Sequence, residues 1–421
     1  MEMQRTVTIR LPDDADLRAT LAAFRDVQNA LSADAFNGGQ PLNAIRLQRA
    51  AYHRVKGTLS SQMTITAVRL VAGVYAAAVK NRTRRVRAEA KRKAKFEAKG
   101  WRYKPRHIKP LGVCCFDRAT AMFLVGVRGR DADFRRDGTL SIWTASGRKR
   151  LPYEVIPAHR PLFDAATEID SVTVIERGGH LYGRVALTLD APAPRGVVPV
   201  GIDLNETNAL VAVDADDREL FISGLATKVR NRKTMQTTRR VQDKLTTKKA
   251  EKCDTRSVRR VLKRLGGRRS RRRRDFARVT AKRLVAWAPQ DTVLVFEDLR
   301  MPEPAKGLTR GVALRRRLSQ WQHGAIRRAV ESKAQMAGLA VVFVNPAYTS
   351  QNCSRCGLRG IRQRHSFTCP SCGYSQHADR NAAVNIRNRF VQPRLDAVPS
   401  VAAEALPLAG EGKPHAEALG H

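Results

Sequence analysis

Four of the seven cysteines in this 421-residue chain lie in two closely spaced pairs near its C-terminal end. The CxxC pairs are formed by Cys353, Cys356, Cys369 and Cys372, with 12 residues between the pairs. Thiolates at this spacing are typical of a tetrahedral Zn²⁺ site with no open position, rather than of a disulfide framework. We therefore predict a structural zinc ion. Because four thiolates complete such a site, the nearby His365 and His377 are predicted to be surface or backbone-contacting residues.

Three carboxylates occupy positions where an acid is unusual. Asp203 lies within an apolar strand-like segment, Glu297 stands at the end of another, and Asp379 comes just before the helical pattern AAVNI. Carboxylates beside apolar strands are costly to bury unless a cation compensates their charge, so together they predict a shared Mg²⁺ or Mn²⁺ site that could hydrolyse phosphodiesters. Capping or turn roles remain open on this pattern alone. Asp298 and Glu206 are also close enough in sequence to be mistaken for ligands.

Strands and helices alternate in the second half of the chain, which indicates an α/β domain. The segment VPVGIDLNETNALVAVD predicts a hairpin, and DTVLVFEDL and LAVVFVNP predict two further strands. The apolar positions of a predicted helix between those two strands are Leu318, Trp321, Ala325, Ala329 and Met336. Residues 228–283 are predicted to be mostly helical, with a break at Gly266-Gly267.

The first half of the chain combines one early strand, a helical stretch and a run of short strands. The segment TVTIRLP at 6–12 alternates as a strand with one buried face does. From about 108 to 197, short alternating segments separated by turn residues predict an antiparallel sheet or barrel. We expect the early strand to join this β domain across the helical stretch. The segment APAPRGVVP at 191–199 is typical of a linker.

The charge of the chain predicts a polyanionic partner. Lys and Arg number 78 against 38 Asp and Glu, a formal net charge of +40. Half of this excess lies in 228–283, and a second basic run at 80–106 contains Trp101 and Tyr103, which could stack on bases. Because 43% of the residues are hydrophobic, the charge is carried by a folded scaffold, which argues against a histone-like tail and favours nucleic-acid binding.

The C-terminal strings NPAYTSQNCSRCG and RQRHSFTCPSCGYSQHADRNAAVNI resemble the signature of the TnpB family of transposon-encoded nucleases and of the miniature type V CRISPR effectors. VGIDL at 200–204, FEDL at 296–299 and HADRNAA at 377–383 are similar to the three RuvC motifs of that family. The resemblance is strong over about 200–388, and the first half of the chain matches mainly in layout.

This resemblance implies catalytic roles for Asp203, Glu297 and Asp379, which would bind Mg²⁺ or Mn²⁺. It also implies that the four cysteines hold a zinc ribbon embedded in the nuclease domain. The pair Asn205-Glu206 departs from the family pattern, in which Gly and an apolar residue are common at these positions. The departure leaves Asp203 unchanged but could alter the local turn or the metal shell.

The implied architecture is multidomain, α+β and α/β. A β-barrel-like wedge domain with a helical insert precedes an RNase H-like RuvC nuclease domain with an embedded four-cysteine zinc ribbon. The expected boundaries are 1–12 and 108–197 for the wedge-like β domain, 13–107 for the helical recognition insert, 198–349 and 376–390 for the RuvC-like domain with its basic helical span 228–283, 350–375 for the zinc ribbon, and 391–421 for a flexible tail.

The family resemblance implies an RNA-guided DNA endonuclease that binds a structured guide RNA and double-stranded target DNA next to a short flanking motif. A transposon-associated TnpB is favoured over a miniature type V CRISPR effector. An unguided RuvC-like nuclease or transposase and a nuclease-inactive RNA-guided repressor remain open. We expect a monomer, with a dimer on one RNA as the alternative. We also expect a prokaryotic, cytoplasmic, nucleoid-associated protein without a membrane partner, because no stretch of about 18 consecutive apolar residues occurs.

Overall fold

The computed structural model describes residues 2–36, 38–125, 131–299 and 322–391. These residues belong to two compact units, one ending at Ala193 and one beginning at Pro194. The predicted flexible tail lies outside the described residues except for Val391, and Leu318 and Trp321 of the predicted helix also lie outside them.

The first unit contains two antiparallel sheets and three long helices. Its elements are β1 (Glu2–Leu11), α1 (Ala15–Ala35), α2 (Ala44–Val55), α3 (Ser61–Glu97), β2 (Thr120–Leu124), β3 (Ala132–Phe134), β4 (Thr139–Thr144), β5 (Gly147–Pro152), β6 (Glu154–Val155), α4 (Arg160–Asp164), β7 (Glu168–Arg177) and β8 (His180–Asp190). Five strands form a sheet in the order β2-β7-β8-β1-β6, and β3, β4 and β5 form a second sheet. The pairings of the described strands therefore give two open sheets rather than one closed barrel, and the chain passes between them at Tyr153.

Strand β1 belongs to the first sheet, although three long helices separate it in sequence from the other strands of that sheet. It pairs antiparallel with β8 along its whole length, from Glu2 opposite Asp190 to Leu11 opposite Leu181. The helices pack on the same core, since β1 residues, α1 residues and α3 residues all belong to one buried cluster. The strand predicted at 6–12 therefore pairs with a strand that follows the helical stretch in the sequence.

Helix α3 is apolar in its first half and basic in its second. Among the described residues it is long and apolar enough, by length and composition, to cross a membrane. Its apolar residues Met63, Val68, Val71 and Tyr75 are fully or almost fully buried in the core of this unit. The second half, from Lys80 onward, is largely exposed.

The second unit is a mixed sheet covered by helices on both faces. Its elements are β9 (Val198–Asp203), β10 (Asn208–Val213), β11 (Glu219–Ser223), α5 (Leu225–Ala250), α6 (Arg256–Trp287), β12 (Thr292–Glu297), α7 (His323–Ala337), β13 (Ala340–Val344), β14 (Ile361–Gln363), β15 (Ser366–Thr368), β16 (Ser375–His377) and α8 (Ala378–Val391). The sheet order is β11-β10-β9-β12-β13, antiparallel among the first three strands and parallel from β9 to β13. Strands β14, β15 and β16 form a small antiparallel sheet.

Because side chains alternate between the two faces of a strand, successive residues of β12 contact different helices. Leu294 and Phe296 of β12 pack with α6 and α7, whereas Val293 and Val295 pack with Ile386 of α8. Burial on both faces explains why the central strands are almost continuously apolar.

Helix α6 runs without interruption through Gly266-Gly267, so the predicted break at these glycines is wrong. The break between the two basic helices falls instead at 251–255, where Lys252 has a φ of 53°. Each glycine costs about 1 kcal/mol relative to alanine in a helix. A 32-residue helix whose last turns are buried through Ala281 and Leu284 tolerates that cost.

Candidate active site

Asp203 and Glu297 end two neighbouring parallel strands. In the ladder between β9 and β12, Ile202 lies opposite Phe296, so the next residues along the two strands are adjacent. Ile202 and Phe296 point into the core beneath α6 and α7. Because side chains alternate between the faces of a strand, both carboxylates point to the face that α8 covers.

Asp379 reaches the same place from the first turn of α8. This helix packs on β9, β10 and β12, and Asp379 is buried there. Asp203 is also buried, and the charges of Glu297 and Asp379 both act on it. The structure therefore brings together the three acids that were singled out in the sequence.

Asp203, Glu297 and Asp379 form a carboxylate cluster. Burial and mutual repulsion raise the pKa of acids in this cluster. Desolvation, followed by the charges of Glu297 and Asp379, raises the pKa of Asp203 from 3.8 to about 7. Desolvation also raises the pKa of Glu297 above its ordinary value. Buried acids that repel one another favour binding of a proton or a cation, which is the electrostatic character expected of a divalent-metal site.

Two asparagines, Asn205 in the turn after β9 and Asn208 at the start of β10, hold the two aspartates in place. Asn205 donates a side-chain hydrogen bond to Asp203 (3.2 Å) and accepts backbone hydrogen bonds from Thr207 (2.9 Å) and Asn208 (2.8 Å). The side chain of Asn208 donates to Oδ2 of Asp379 (2.8 Å). Sequence reasoning noted Asn205 only as a departure and missed Asn208, although an asparagine in a turn beside a strand-end acid is itself a signal.

Arg362 is the cation that the sequence analysis missed. It lies on β14, and its Nη2 donates to Oδ1 of Asp379 at 2.7 Å. Arginine is suited to a carboxylate or a phosphate because its guanidinium presents several donors in one plane. Local spacing could not single it out among 78 basic residues, because the contact depends on how β14 folds against α8.

The acids that could have been confused with ligands have other partners. Glu206 forms an ion pair with Lys228 at 3.8 Å, and Asp298 forms one with Arg327 at 3.8 Å. In addition, Thr349 donates a short hydrogen bond to Glu297. Glu297 is therefore held from the loop that follows β13.

Asparagines of the HADRNAAVNI segment connect α8 to the loop before the ribbon. Asn381 and Asn385 stand one helical turn apart, and each donates to the backbone oxygen of Asn352 at 2.7 Å. Asn385 also donates to the backbone oxygen of Thr349 at 2.8 Å. The helix that carries Asp379 and the loop that holds Glu297 are thereby tied together.

The four ribbon cysteines converge on one point. Their sulfur atoms lie within 4.8 Å of one another, with 3.7 Å between the Sγ atoms of Cys353 and Cys372 and 3.5 Å between those of Cys356 and Cys369. Tetrahedral Zn–S bonds of about 2.3 Å separate sulfurs by about 3.8 Å. Gly357 and Gly373, which follow the two pairs, have positive φ values of 75° and 69°, as tight knuckle turns require. The cluster thus has the ligand set and dimensions of a zinc site.

A glycine in β9 sets how closely α8 approaches the sheet. A Cβ at Gly201 would lie 2.0 Å from the backbone oxygen of Ala383 and 2.6 Å from the backbone nitrogen of Arg387. Gly201→Ala is expected to push α8 outward and lower the free energy of unfolding by about 3 kcal/mol, the upper end of ordinary overpacking costs. Urea denaturation monitored by circular dichroism measures this.

Gly266→Ala is the matched control for that substitution. It introduces the same methyl group in α6, where nothing lies within 4 Å of the added Cβ. We expect it to leave stability unchanged or raise it by up to about 1 kcal/mol. Equal effects of the two substitutions would contradict the close approach of α8.

Comparisons with known proteins bear on this unit most directly. A family described as "Probable transposase" matches residues 182–306, and one described as "Cas12f1-like, TNB domain" matches 323–386. TnpB-like protein aq_aa05 of Aquifex aeolicus (strain VF5) is 34% identical over 122 residues, which cover 27% of this chain and 39% of that protein. The CRISPR-associated endodeoxyribonuclease Cas12f1 of Sulfoacidibacillus thermotolerans is 40% identical over 72 residues, 16% of this chain and 17% of that protein.

The chain is similar to TnpB-like and Cas12f proteins over part of its length. This confirms the resemblance predicted from the motifs. The matches span well under half the length of these two TnpB-like and Cas12f relatives. Among solved structures, CasPhi-2 (Cas12j) bound to crRNA aligns over 92% of this chain and 98% of that chain, with a TM-score of 0.48 and 12% identity.

Proposed function

We propose that this protein is an RNA-guided DNA endonuclease of the transposon-associated TnpB type. It hydrolyses phosphodiester bonds at Asp203, Glu297 and Asp379, within an RNase H-like RuvC domain. The observation that supports the proposal is the convergence of three acids from two strand ends and one helix start, in a chain related to TnpB-like and Cas12f proteins. Asp203 and Asp379 are buried, and Glu297 is partly buried.

The donor set fits Mg²⁺ or Mn²⁺, because it is built of carboxylate oxygens that repel one another when no cation is bound. Such a cation, when bound, supplies an activated water and neutralises charge on the phosphodiester. Asp203 and Glu297 would hold it from the sheet and Asp379 from α8. Asn205 and Asn208 orient the aspartates, and Arg362, whose side chain is about one-third exposed, can exchange Asp379 for a phosphate oxygen of the substrate.

The nucleic-acid partners are proposed from the distribution of basic side chains. In the second unit, most residues of α5 are exposed, and the cluster RRSRRRRD at 268–275 lies largely exposed on α6. In the first unit, the exposed half of α3 carries a second basic run. Such surfaces bind phosphate backbones without reading sequence, which suits a guide RNA and its heteroduplex with target DNA.

Three alternatives differ from this proposal in where the guide originates, in whether a guide exists, or in whether the protein cleaves DNA. A miniature type V CRISPR effector is favoured by the match of residues 323–386 to the Cas12f1-like domain. An unguided RuvC-like nuclease or transposase would use the same acids without RNA. A nuclease-inactive repressor is disfavoured, since all three acids are present and face one another.

The RNA that accompanies the protein tests the proposal. The gene is expressed with its native flanking DNA, the protein is purified, and the bound RNA is sequenced. We expect one discrete RNA whose end derives from sequence beyond a transposon boundary. Repeat-derived RNAs carrying many spacers would instead establish the CRISPR alternative, and the absence of any defined RNA would overturn guided cleavage.

The raised pKa of Asp203 predicts that metal uptake releases a proton. Below a pH of about 7 the folded protein holds Asp203 protonated, which favours folding, and this advantage is lost as pH rises through 7. A cation needs the ionised form. Mg²⁺ binding is therefore expected to release about one proton at pH 6 and almost none at pH 8.

Calorimetric titration with Mg²⁺ in two buffers of different ionisation enthalpy measures this proton release. Asp298→Asn is the control, because Asp298 pairs with Arg327 and should leave the release intact. Identical heats in both buffers at pH 6 would contradict the raised pKa.

A further inference from the structure

A second set of side chains that could bind a metal ion lies beside the carboxylate cluster of Asp203, Glu297 and Asp379. In the described part of the chain, potential ligand atoms of His365, His377 and Asp379 all fall within 4.8 Å of one another. His365 is exposed, His377 is partly exposed, and Asp379 is buried. The group is therefore open on one side, unlike an enclosed core histidine.

The small antiparallel sheet fixes the two imidazoles side by side. His377 lies opposite Ser366 in the ladder between β15 and β16, and the N–H of Ala378 donates to the backbone oxygen of His365 at 2.7 Å. The two rings are stacked, with centroids 5.6 Å apart and an angle of 23° between their planes. Phe221 meets His377 edge-on at 5.1 Å. This geometry orients His377 firmly while leaving His365 at the surface.

The two oxygens of Asp379 have different surroundings. Oδ1 accepts the hydrogen bond from Arg362 at 2.7 Å, whereas Oδ2 faces His377, whose Nδ1 is 4.0 Å away. Oδ2 also accepts from Asn208, but a carboxylate oxygen has a second lone pair for another partner. His377 Nδ1 accepts a long hydrogen bond of 3.2 Å from the N–H of Asp379, which an ion bound at Nδ1 would replace.

The spacing suits one small transition-metal ion. Tetrahedral bonds of about 2.1 Å to nitrogen and oxygen put ligand atoms about 3.4 Å apart. The separation of 4.0 Å between His377 and Asp379 is close to this value. The exposed His365 can move inward to complete the set. Two imidazoles and one carboxylate prefer Zn²⁺ and similar ions over Mg²⁺, which favours oxygen ligands alone.

We propose that His365, His377 and Asp379 form a second site, specific for Zn²⁺-like ions, at the edge of the carboxylate cluster. An ion bound there engages Asp379 and withdraws it from the Mg²⁺ site. Zn²⁺ thereby inhibits cleavage that Mg²⁺ supports. The binding site is inferred from the geometry alone, whereas the inhibition of cleavage depends on the proposed nuclease function.

Zinc binding to the full-length protein tests the site directly. The protein is first prepared with its cysteine site filled, at one zinc per chain by elemental analysis, and is then titrated calorimetrically with Zn²⁺. We expect one further equivalent to bind, with an affinity that falls at least about tenfold in His365→Ala and in His377→Gln. His180→Ala, at an exposed position on β8, is the matched control and should bind as the unaltered chain does. No further binding, or equal binding by all variants, would overturn the proposal.

Cleavage supplies the second arm of the test. His365→Ala is expected to cut at the unaltered rate in Mg²⁺ alone and to resist added Zn²⁺, with a half-inhibitory concentration at least about tenfold higher. Equal inhibition of both proteins would refute the inhibitory role. If the unaltered protein does not cut at all, the nuclease proposal fails, while the zinc titration still decides whether the site exists.

Discussion

Replacing Asp203 with Asn is expected to abolish cleavage of a matched target by the RNA-bound protein. Asn keeps the shape of the side chain but removes the charge through which Asp203 would hold the cation beside Glu297 and Asp379. Divalent cations contribute several kcal/mol to such reactions, and about 4 kcal/mol corresponds to about a thousandfold in rate. Plasmid cleavage in Mg²⁺ measures the loss, and gel-shift assays should show RNA and target binding within about twofold of the unaltered chain.

The same substitution is expected to stabilise the fold in the absence of Mg²⁺. Ionised Asp203 is disfavoured by burial and by its acidic neighbours, which is why its pKa rises to about 7. Asn removes that cost, so the free energy of unfolding at pH 8 should increase by up to about 4 kcal/mol. Asp298→Asn, the adjacent acid with its own partner, should show neither effect. Retained cutting by Asp203→Asn would remove Asp203 from the site.

Replacing Cys369 with Ser is expected to release zinc and unfold the ribbon. A structural zinc ion contributes about 10 to 16 kcal/mol to folding in isolated zinc-finger peptides, and Cys369 is one of four converging ligands. Apart from Phe367, the segment 353–378 buries few side chains that could replace the ion. Elemental analysis should find close to no zinc in the variant, and limited proteolysis should cut within 350–377.

Loss of the ribbon is also expected to weaken cleavage, because β14 carries the Arg362 that binds Asp379. Cys253→Ser is the matched control, since Cys253 is exposed between α5 and α6 and its thiol donates to its neighbour Glu251 rather than to a ribbon residue. It should keep one zinc per chain and full resistance to protease. A full zinc content in Cys369→Ser would refute the assignment of the cysteines.

Short-range patterns predicted the parts of the fold that local chemistry determines. The hairpin from β9 to β10, the apolar strands β12 and β13 and the four-cysteine cluster can be read from spacing alone, because each depends on alternation or on turns between near neighbours. The helix break predicted at Gly266-Gly267 was wrong for the opposite reason. Their cost is local, while the buried last turns of α6 that outweigh it are held by distant parts of the chain.

The remaining features of the site depend on contacts that local patterns do not encode. Arg362 meets Asp379 only because a ribbon strand folds onto the start of α8, and Asn208 meets Asp379 across 171 positions of chain. His365 and His377 were predicted to be surface or backbone-contacting residues. The backbone oxygen of His365 does accept a hydrogen bond from Ala378, and His377 does pair with Ser366 in the ladder, but the same ladder also stacks the two rings beside Asp379. Register between strands, rather than residue type, produced that juxtaposition.

Exchange of the guide tests guided, metal-dependent cleavage most directly. The purified protein is loaded with two RNAs that differ only in the guide segment and is offered plasmids that match one or the other beside a randomised flanking sequence, in Mg²⁺. We expect each RNA to direct cutting to its own plasmid, EDTA to stop the cutting, and Asp203→Asn to cut neither plasmid. Cutting of both plasmids with either RNA, or without RNA, would contradict guidance and leave an unguided nuclease.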